Sequence, residues 1–181
     1  MTKDRMRARR QRNGREGSRG DLAGEHRLSD AGQLILAVLF FGVWITDGLI
    51  LRSTTVLNAY VPLALRIPFG VCVLVLSGYL ARTGLGIVFG EIREPPQVIR
   101  TGVFGWVRHP IYLSEILLYF GLLLMSLSLA AAVVWLVAVG FLHYISRHEE
   151  RLLLAQFGAA YEEYMRDVPM WIPRPKRKAK R

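Results

Sequence analysis

Residues 111–145, IYLSEILLYFGLLLMSLSLAAAVVWLVAVGFLHYI, form a run of 35 residues in which Glu115 is the sole formal charge. A straight helix of ~20 apolar residues crosses a bilayer core, so this run is too long for one span and long enough for two. Serines interrupt it at Met125-Ser126-Leu127-Ser128, which predicts a hairpin with spans over about 112–126 and 128–145 and a tight turn between them. Working toward the N-terminus, Gln33–Leu51 and Val61–Ala81 are two further apolar stretches, each with one charge, Asp47 and Arg66. Neither has the polar face that the surface helix of a soluble bundle requires. The fold class this predicts is an all-α integral membrane protein with about four transmembrane helices, in one domain over residues 31–173.

The charge distribution agrees with that division. The chain carries 24 Lys+Arg against 14 Asp+Glu, but residues 1–27 hold nine of the basic side chains and 174–181 hold six. The body is close to neutral, which argues against a nucleic-acid partner and for an apolar body with basic tails over 1–30 and 174–181. The N-terminal tail has too few large apolar residues to order itself, and both tails suit anionic lipid headgroups. With four spans, 22 of the 24 basic residues fall on one side, so both termini and the 82–110 loop are expected in the cytoplasm. Asp47 would then lie near the outer end of its span, paired with Arg52 or Arg66 rather than serving transport. A polar segment of 32 residues precedes the first span and no small-x-small site follows it, so that span does not read as a cleavable signal peptide. Compact size and the absence of organelle signals favour a bacterial cytoplasmic membrane, and the same topology fits the endoplasmic reticulum.

Ionisable residues are sparse in such a chain, and two clusters hold most of them. The first, residues 97–112, reads QVIRTGVFGWVRHPIY. Its glycines and Thr101 read as turn, and Pro110 suits the first turn of the following helix, which puts Arg108 and His109 at the mouth of span three, where helix N-terminal amides favour an anionic group. The second is His143, Arg147, His148, Glu149, Glu150 and Arg151. Apolar periodicity continues through Leu152, Leu153, Leu154 and Phe157, so the helix should run on to about Gln156, with Gly158 as C-cap and a short C-terminal amphipathic helix around Tyr161-Glu162-Glu163-Tyr164. The hairpin should bring both clusters to the same face. Each also has a plain reading: Arg108-His109 as interfacial anchors, Glu149-Glu150 as a solvated helix face. His109 and His148 lack a third ligand at zinc spacing, so no metal is expected. Cys72, the single cysteine, rules out an intrachain disulfide framework and has no nearby histidine to make it a nucleophile. Gly84-Leu85-Gly86 lacks the third glycine and preceding strand of a dinucleotide loop.

Gly102-Val103-Phe104 … Arg108-His109-Pro110-Ile111-Tyr112, a hydrophobic hairpin, then Glu149-Glu150 … Leu153 … Phe157-Gly158 … Tyr161 … Tyr164 … Val168-Pro169 together resemble the isoprenylcysteine carboxyl methyltransferase family, which is grouped with the phospholipid N-methyltransferases. The resemblance covers about residues 97–173, nearly half the chain. It implies an integral membrane enzyme that uses S-adenosylmethionine without a dinucleotide-binding domain. Carried over residue by residue, it implies that Gln97, Val98, Ile99 and Arg100 form the cofactor loop, with Phe104 where the family often has tyrosine. His109, Pro110 and Tyr112 would line the cofactor site, and Glu149 would bind the cofactor's α-ammonium. Arg147 and Glu150 would be the catalytic pair, Arg147 holding an acceptor carboxylate and Glu150 available as a base, with His109, for an amine or phenol. Many family members carry a small residue where this chain has Leu113-Ser114-Glu115; Glu115 would either contact acceptor or cofactor or pair structurally with Arg147.

The function these features imply is S-adenosylmethionine-dependent methylation of a lipophilic acceptor at the cytosolic membrane face, with an isoprenylcysteine-type carboxylate foremost. The acceptor would be a lipophilic small molecule or a lipidated partner drawn from the membrane lipids. Phospholipid N-methylation and a non-catalytic membrane protein that keeps the fold are the alternatives. A transporter is disfavoured, because only Asp47, Arg66 and Glu115 are ionisable within the spans.

Overall fold

The structure, a computed structural model, describes residues 27–90 and 96–173, with side chains from Ser29 onward in the first of these segments. The expected basic tails fall outside the described residues through position 26 and from 174. Residues 27–30, grouped with the tail from sequence, already belong to the first helix.

Five α-helices follow in order, with no strand among the described residues: α1 Arg27–Val43, α2 Leu63–Gly90, α3 Pro110–Ser126, α4 Leu129–Phe157 and α5 Ala159–Asp167. The first helix widens into a π-helix over Trp44–Leu51, so that Ser29–Leu51 forms one continuous apolar segment. That segment, α2 and α4 are long and apolar enough to cross a membrane, while α3 is a shorter apolar helix of 17 residues. At 1.5 Å per residue α3 is roughly 25 Å long, slightly less than a ~30 Å hydrocarbon core. Leu34, Ile35, Val38, Phe69 and Val75 are each about two-thirds exposed, the reverse of a soluble protein and the arrangement expected of faces that meet lipid.

Without a hydrophobic drive between helices in lipid, close packing needs small residues. On α2 these are Gly70, Ser77 and Gly84, seven residues apart and all buried against the antiparallel α3. A Cβ at Gly70 would sit 2.9 Å from the Gly121 carbonyl oxygen, and one at Gly84 would sit 3.0 Å from Ile111. Between them Ser77 Oγ donates to the Ser114 carbonyl at 2.6 Å. This seam explains why α2 runs to Gly90 while the apolar stretch read from sequence stops at Ala81: Gly84 is packed beneath the start of α3. On the other side of α3, Tyr119 stacks on the buried Phe40 of α1 at 4.4 Å, and the indoles of Trp44 and Trp135 donate to the carbonyls of Leu122 and Ile116.

The hairpin between α3 and α4 turns on Leu127 in the left-handed region (φ 49°), and Ser128 caps α4 by accepting from Ala131 N at 3.1 Å. The same serine donates to Asp47 Oδ2 at 2.5 Å. Asp47 also accepts from the Thr54 hydroxyl and, at 3.0 Å, from the Thr54 amide. The ion pair expected between Asp47 and Arg52 or Arg66 is therefore absent among the described residues. Arg52 takes a left-handed turn (φ 55°) that delivers Thr54 to the carboxylate, and hydroxyls and an amide satisfy it without a cation. Arg66 instead bonds Asn58 and the Met125 carbonyl.

Candidate functional site

At the other end of the bundle, where α1 and α3 begin and α2 and α4 end, lies a cavity of about 350 Å³. That volume sits within the ~300–1,000 Å³ range of small-molecule sites. One wall is Asp30 and Gln33 from the first turns of α1 with Val88 and Phe89 from the end of α2. The segment before α3 gives Gln97, Val98, Ile99 and Phe104, then Arg108, His109, Pro110 and Tyr112. The opposite wall is Glu149, Leu153 and Phe157, four residues apart along one face of α4, closed by Tyr161 and Tyr164 of α5.

Local sequence explains how these side chains are held. Thr101 and a left-handed Gly102 (φ 56°) start the 3₁₀ turn Gly102–Gly105, and Tyr164 Oη donates to the Phe104 carbonyl at 2.7 Å, pinning that turn to α5. His109 is the N-cap residue of α3, and Pro110 needs no amide partner in the first turn. Arg108 is largely shielded and multiply bound: its backbone amide donates to Pro169 O at 3.0 Å, Nη1 donates to Met165 O and Val168 O at 2.9 and 2.8 Å, and Nε donates to Glu150 Oε1 at 2.7 Å. It thereby fastens the segment after α5 to both clusters.

Glu150, only 3% exposed, is the hub of the site's charge. Its Oε1 takes both Arg108 and, at 3.2 Å, His109 Nε2, while its Oε2 has no hydrogen-bond partner. Tyr112 donates to Glu149, and Ser29 Oγ lies 3.4 Å from the same tyrosine hydroxyl, joining α1 to the site. The ring of His109 lies parallel to Tyr112 at 5.9 Å and against Trp171 at 5.9 Å, whose Nε1 donates to His143 Nδ1 at 3.2 Å. Burial holds the His109 pKa below its usual value; the Glu150 carboxylate pulls it up and Arg108 pushes it down again, leaving a neutral imidazole at pH 7. Burial raises the Glu150 pKa, but the His109 hydrogen bond and the charge of Arg108 outweigh it and the carboxyl stays ionised. Burial pushes the hydroxyls of Tyr161 and Tyr164 up, so both remain protonated.

Of the residues singled out from sequence, Gln97, Val98, Ile99, Phe104, His109, Pro110, Tyr112 and Glu149 meet around this one cavity. Three do not reach its wall. Arg100 bonds the Ala160 carbonyl and Glu163 beside the Tyr164 ring. Glu150 sits behind the wall, acting on His109 and Arg108. Arg147 is 62% exposed, with Nη1 3.8 Å from Glu150 Oε2. Two residues from Glu149 is roughly 200° around a helix, so Arg147 leaves the cavity face. Glu115 accepts from Tyr119 Oη at 2.7 Å one turn along α3 and not from Arg147. Sequence reasoning missed Asp30 and Gln33, whose only signal was their place at the start of an apolar run; it placed Arg108 at the anion-favouring helix start, with an interfacial anchor as the plain alternative.

A family model described as "Phospholipid methyltransferase" matches residues 64–160, just over half the chain. The chain is 30% identical over 147 residues to methanethiol S-methyltransferase of Mycobacterium tuberculosis, covering 81% of this chain and 52% of that protein. It is 41% identical over 75 residues to methanethiol S-methyltransferase 2 of Bradyrhizobium diazoefficiens, covering 38% of this chain and 26% of that protein. Against protein-S-isoprenylcysteine O-methyltransferase of Saccharomyces cerevisiae it is 33% identical over 112 residues, covering 56% and 47%. The chain thus spans about half the length of two of these relatives and about a quarter of the other. No solved structure matches it.

Proposed function

From the premise that the chain belongs to the phospholipid methyltransferase family, we propose that it is an S-adenosylmethionine-dependent methyltransferase acting on a lipophilic acceptor drawn from the bilayer. The observation that carries this reading is the cavity's pairing of carboxylates with a helix start and aromatic walls. S-adenosylmethionine has an α-ammonium, a carboxylate, a sulfonium and a flat base, and the donor set suits each. Asp30 and Glu149 are carboxylates for the cations, the first-turn amides of α3 suit an anion, and Phe104 and Phe157 offer apolar rings to the base. When bound, it supplies a methyl group activated on a positively charged sulfur.

The chain's own part is to hold, align and keep dry. Charge on the sulfur disperses as the methyl leaves, so an apolar cavity helps, and alignment supplies much of the rate. The 22 basic residues on one side favour a cytosolic mouth and cytoplasmic termini. The expected isoprenylcysteine-type carboxylate relied on Arg147 to hold it. Arg147 is exposed and absent from the cavity wall, and Arg108 on that wall is already taken up by Glu150 and two backbone carbonyls, which favours instead an acceptor that needs no cation; a thiol fits that description. The Asp30 and Glu149 carboxylates also support a second reading, a phospholipid amine.

Calorimetry of S-adenosylmethionine binding to the detergent-purified protein tests the site. Micromolar binding is expected, weakened about tenfold or more by Glu149→Gln, the scale of one charged hydrogen bond. A folded wild type that binds none would leave the non-catalytic membrane protein as the better reading.

A further inference from the structure

Two carboxyl groups, the buried Glu150 and the partly exposed Glu149, flank one imidazole, and their geometry assigns its proton. Glu150 Oε1 lies 3.2 Å from His109 Nε2. A carboxylate that already takes Arg108 through the same oxygen can only accept, so the hydrogen belongs to Nε2. A neutral imidazole carries one ring hydrogen, which leaves the lone pair on Nδ1. Among the described residues Nδ1 makes no hydrogen bond; it stands 3.8 Å from Glu149 Oε2, a residue of the cavity wall. The parallel Tyr112 ring and the tilted Trp171 ring both pack near the imidazole, each with its centroid at 5.9 Å, and restrict its plane.

We infer that His109 is the general base of the reaction, taking the acceptor's proton at Nδ1, with Glu150 as the positioning residue that sets its tautomer. This rests on the thiol reading above, and it separates acceptor classes. A carboxylate is already ionised at pH 7 and needs no base, whereas a thiol is mostly protonated. In the step, a bond forms between the acceptor sulfur and the methyl carbon. The bond from that carbon to the donor sulfonium breaks, its electron pair staying on the donor sulfur. The S–H proton passes to Nδ1 and then to water. The imidazolium so formed lies within reach of the carboxylates of Glu149 and Glu150; Glu150 favours it, while Arg108 and His143 oppose it and return the base to its neutral form. Tyr112, whose hydroxyl is engaged by Glu149, faces the ring without carrying charge.

The full-length protein in detergent, with hexanethiol as acceptor and saturating S-adenosylmethionine, tests this by the pH dependence of kcat/KM. His109→Gln should lose about 100-fold at pH 6.5, the lower end of general-base contributions. The deficit should shrink to less than about tenfold near pH 8.5, because below the thiol's pKa the free thiolate on which the variant depends rises about tenfold with each pH unit. A loss equal at every pH, or none, overturns the base assignment and leaves the thiol reading standing. No thiol turnover at any pH by protein that binds S-adenosylmethionine overturns the thiol reading and this inference with it. Nitrogen-15 spectra of the wild type at pH 7, without donor or thiol, decide the tautomer even if the variant fails to fold. Nε2–H neutral imidazole is expected, and Nδ1–H or a doubly protonated ring overturns the assignment.

Discussion

The two ends of the bundle each bury a carboxylate and treat it differently. At the hairpin end, Asp47 has both oxygens occupied by Thr54 and Ser128, uncharged groups that arrive on one turn and one helix cap. At the cavity end, Glu150 has one oxygen shared by Arg108 and His109 and the other without a hydrogen bond. A satisfied carboxylate closes a loop and has nothing left to offer. An ionised carboxylate that leans on a cation and an imidazole holds a charge gradient across the site, which is useful only beside a cavity. The ingredients are alike; the partners separate scaffold from chemistry.

Substitution at each end should break the comparison unequally. Arg108→Met leaves Glu150 charged and buried without its cation and frees the carbonyls of Met165 and Val168, so a loss of about 3–5 kcal/mol in unfolding free energy is expected. Denaturant titration in detergent, with S-adenosylmethionine affinity measured alongside, checks both consequences, since the segment after α5 should loosen and affinity should fall. Asp47→Asn keeps one acceptor oxygen for Thr54 and Ser128 and strips no ion pair. It should lower stability by clearly less than Arg108→Met and leave S-adenosylmethionine affinity at the wild-type value. Equal effects on affinity from the two ends would show that the bundle transmits strain along its length and that the division into scaffold and site is wrong.

The sequence displays what is local and hides what is tertiary. Pro110 at the start of α3, a tight turn over 125–128 and the cap at Gly158 follow from chemistry within a few residues and were legible; the left-handed Leu127 on which that turn pivots was not. The apolar runs were legible for the same reason. The seam of Gly70, Ser77 and Gly84 is a relation between helices, so the apolar run was read only to Ala81 while the helix continues past the packed Gly84 to Gly90. The π-helix over Trp44–Leu51 has no composition of its own. In the site, Tyr112 was readable because motif and helix start coincide, and Glu149 because the motif falls on a helix whose apolar period runs on past it. Asp30 was read into the tail, since nothing near it in the chain says that α3 and α4 converge there. Arg147 was carried over from the resemblance as the holder of a carboxylate, whereas helical phase puts it on another face than Glu149.

The smallest effect sharpens the comparison most, because it separates the ends by pH rather than by mutation. His109 is held below its ordinary pKa, so the unfolded chain binds its proton more readily than the folded one. Stability from this group is therefore present above the unfolded value of about 6.5 and is lost as pH falls from there toward the folded pKa. The Glu150 carboxyl, also lowered, acts in the same sense further down: its contribution is present above about 4.3 and is lost as pH falls through its folded value. A plot of unfolding midpoint against pH should thus bend downward below about 6.5 and bend again in the carboxylate range. His109→Gln should flatten the first bend, because no ring is left to protonate. Asp47→Asn should leave that first bend intact, since hydroxyls and an amide contact that carboxylate and none of them titrates near pH 6. Were Asp47→Asn to remove it, the proton taken up near neutrality would have to be bound at the hairpin end, and the assignment of the titrating group to the cavity would fall.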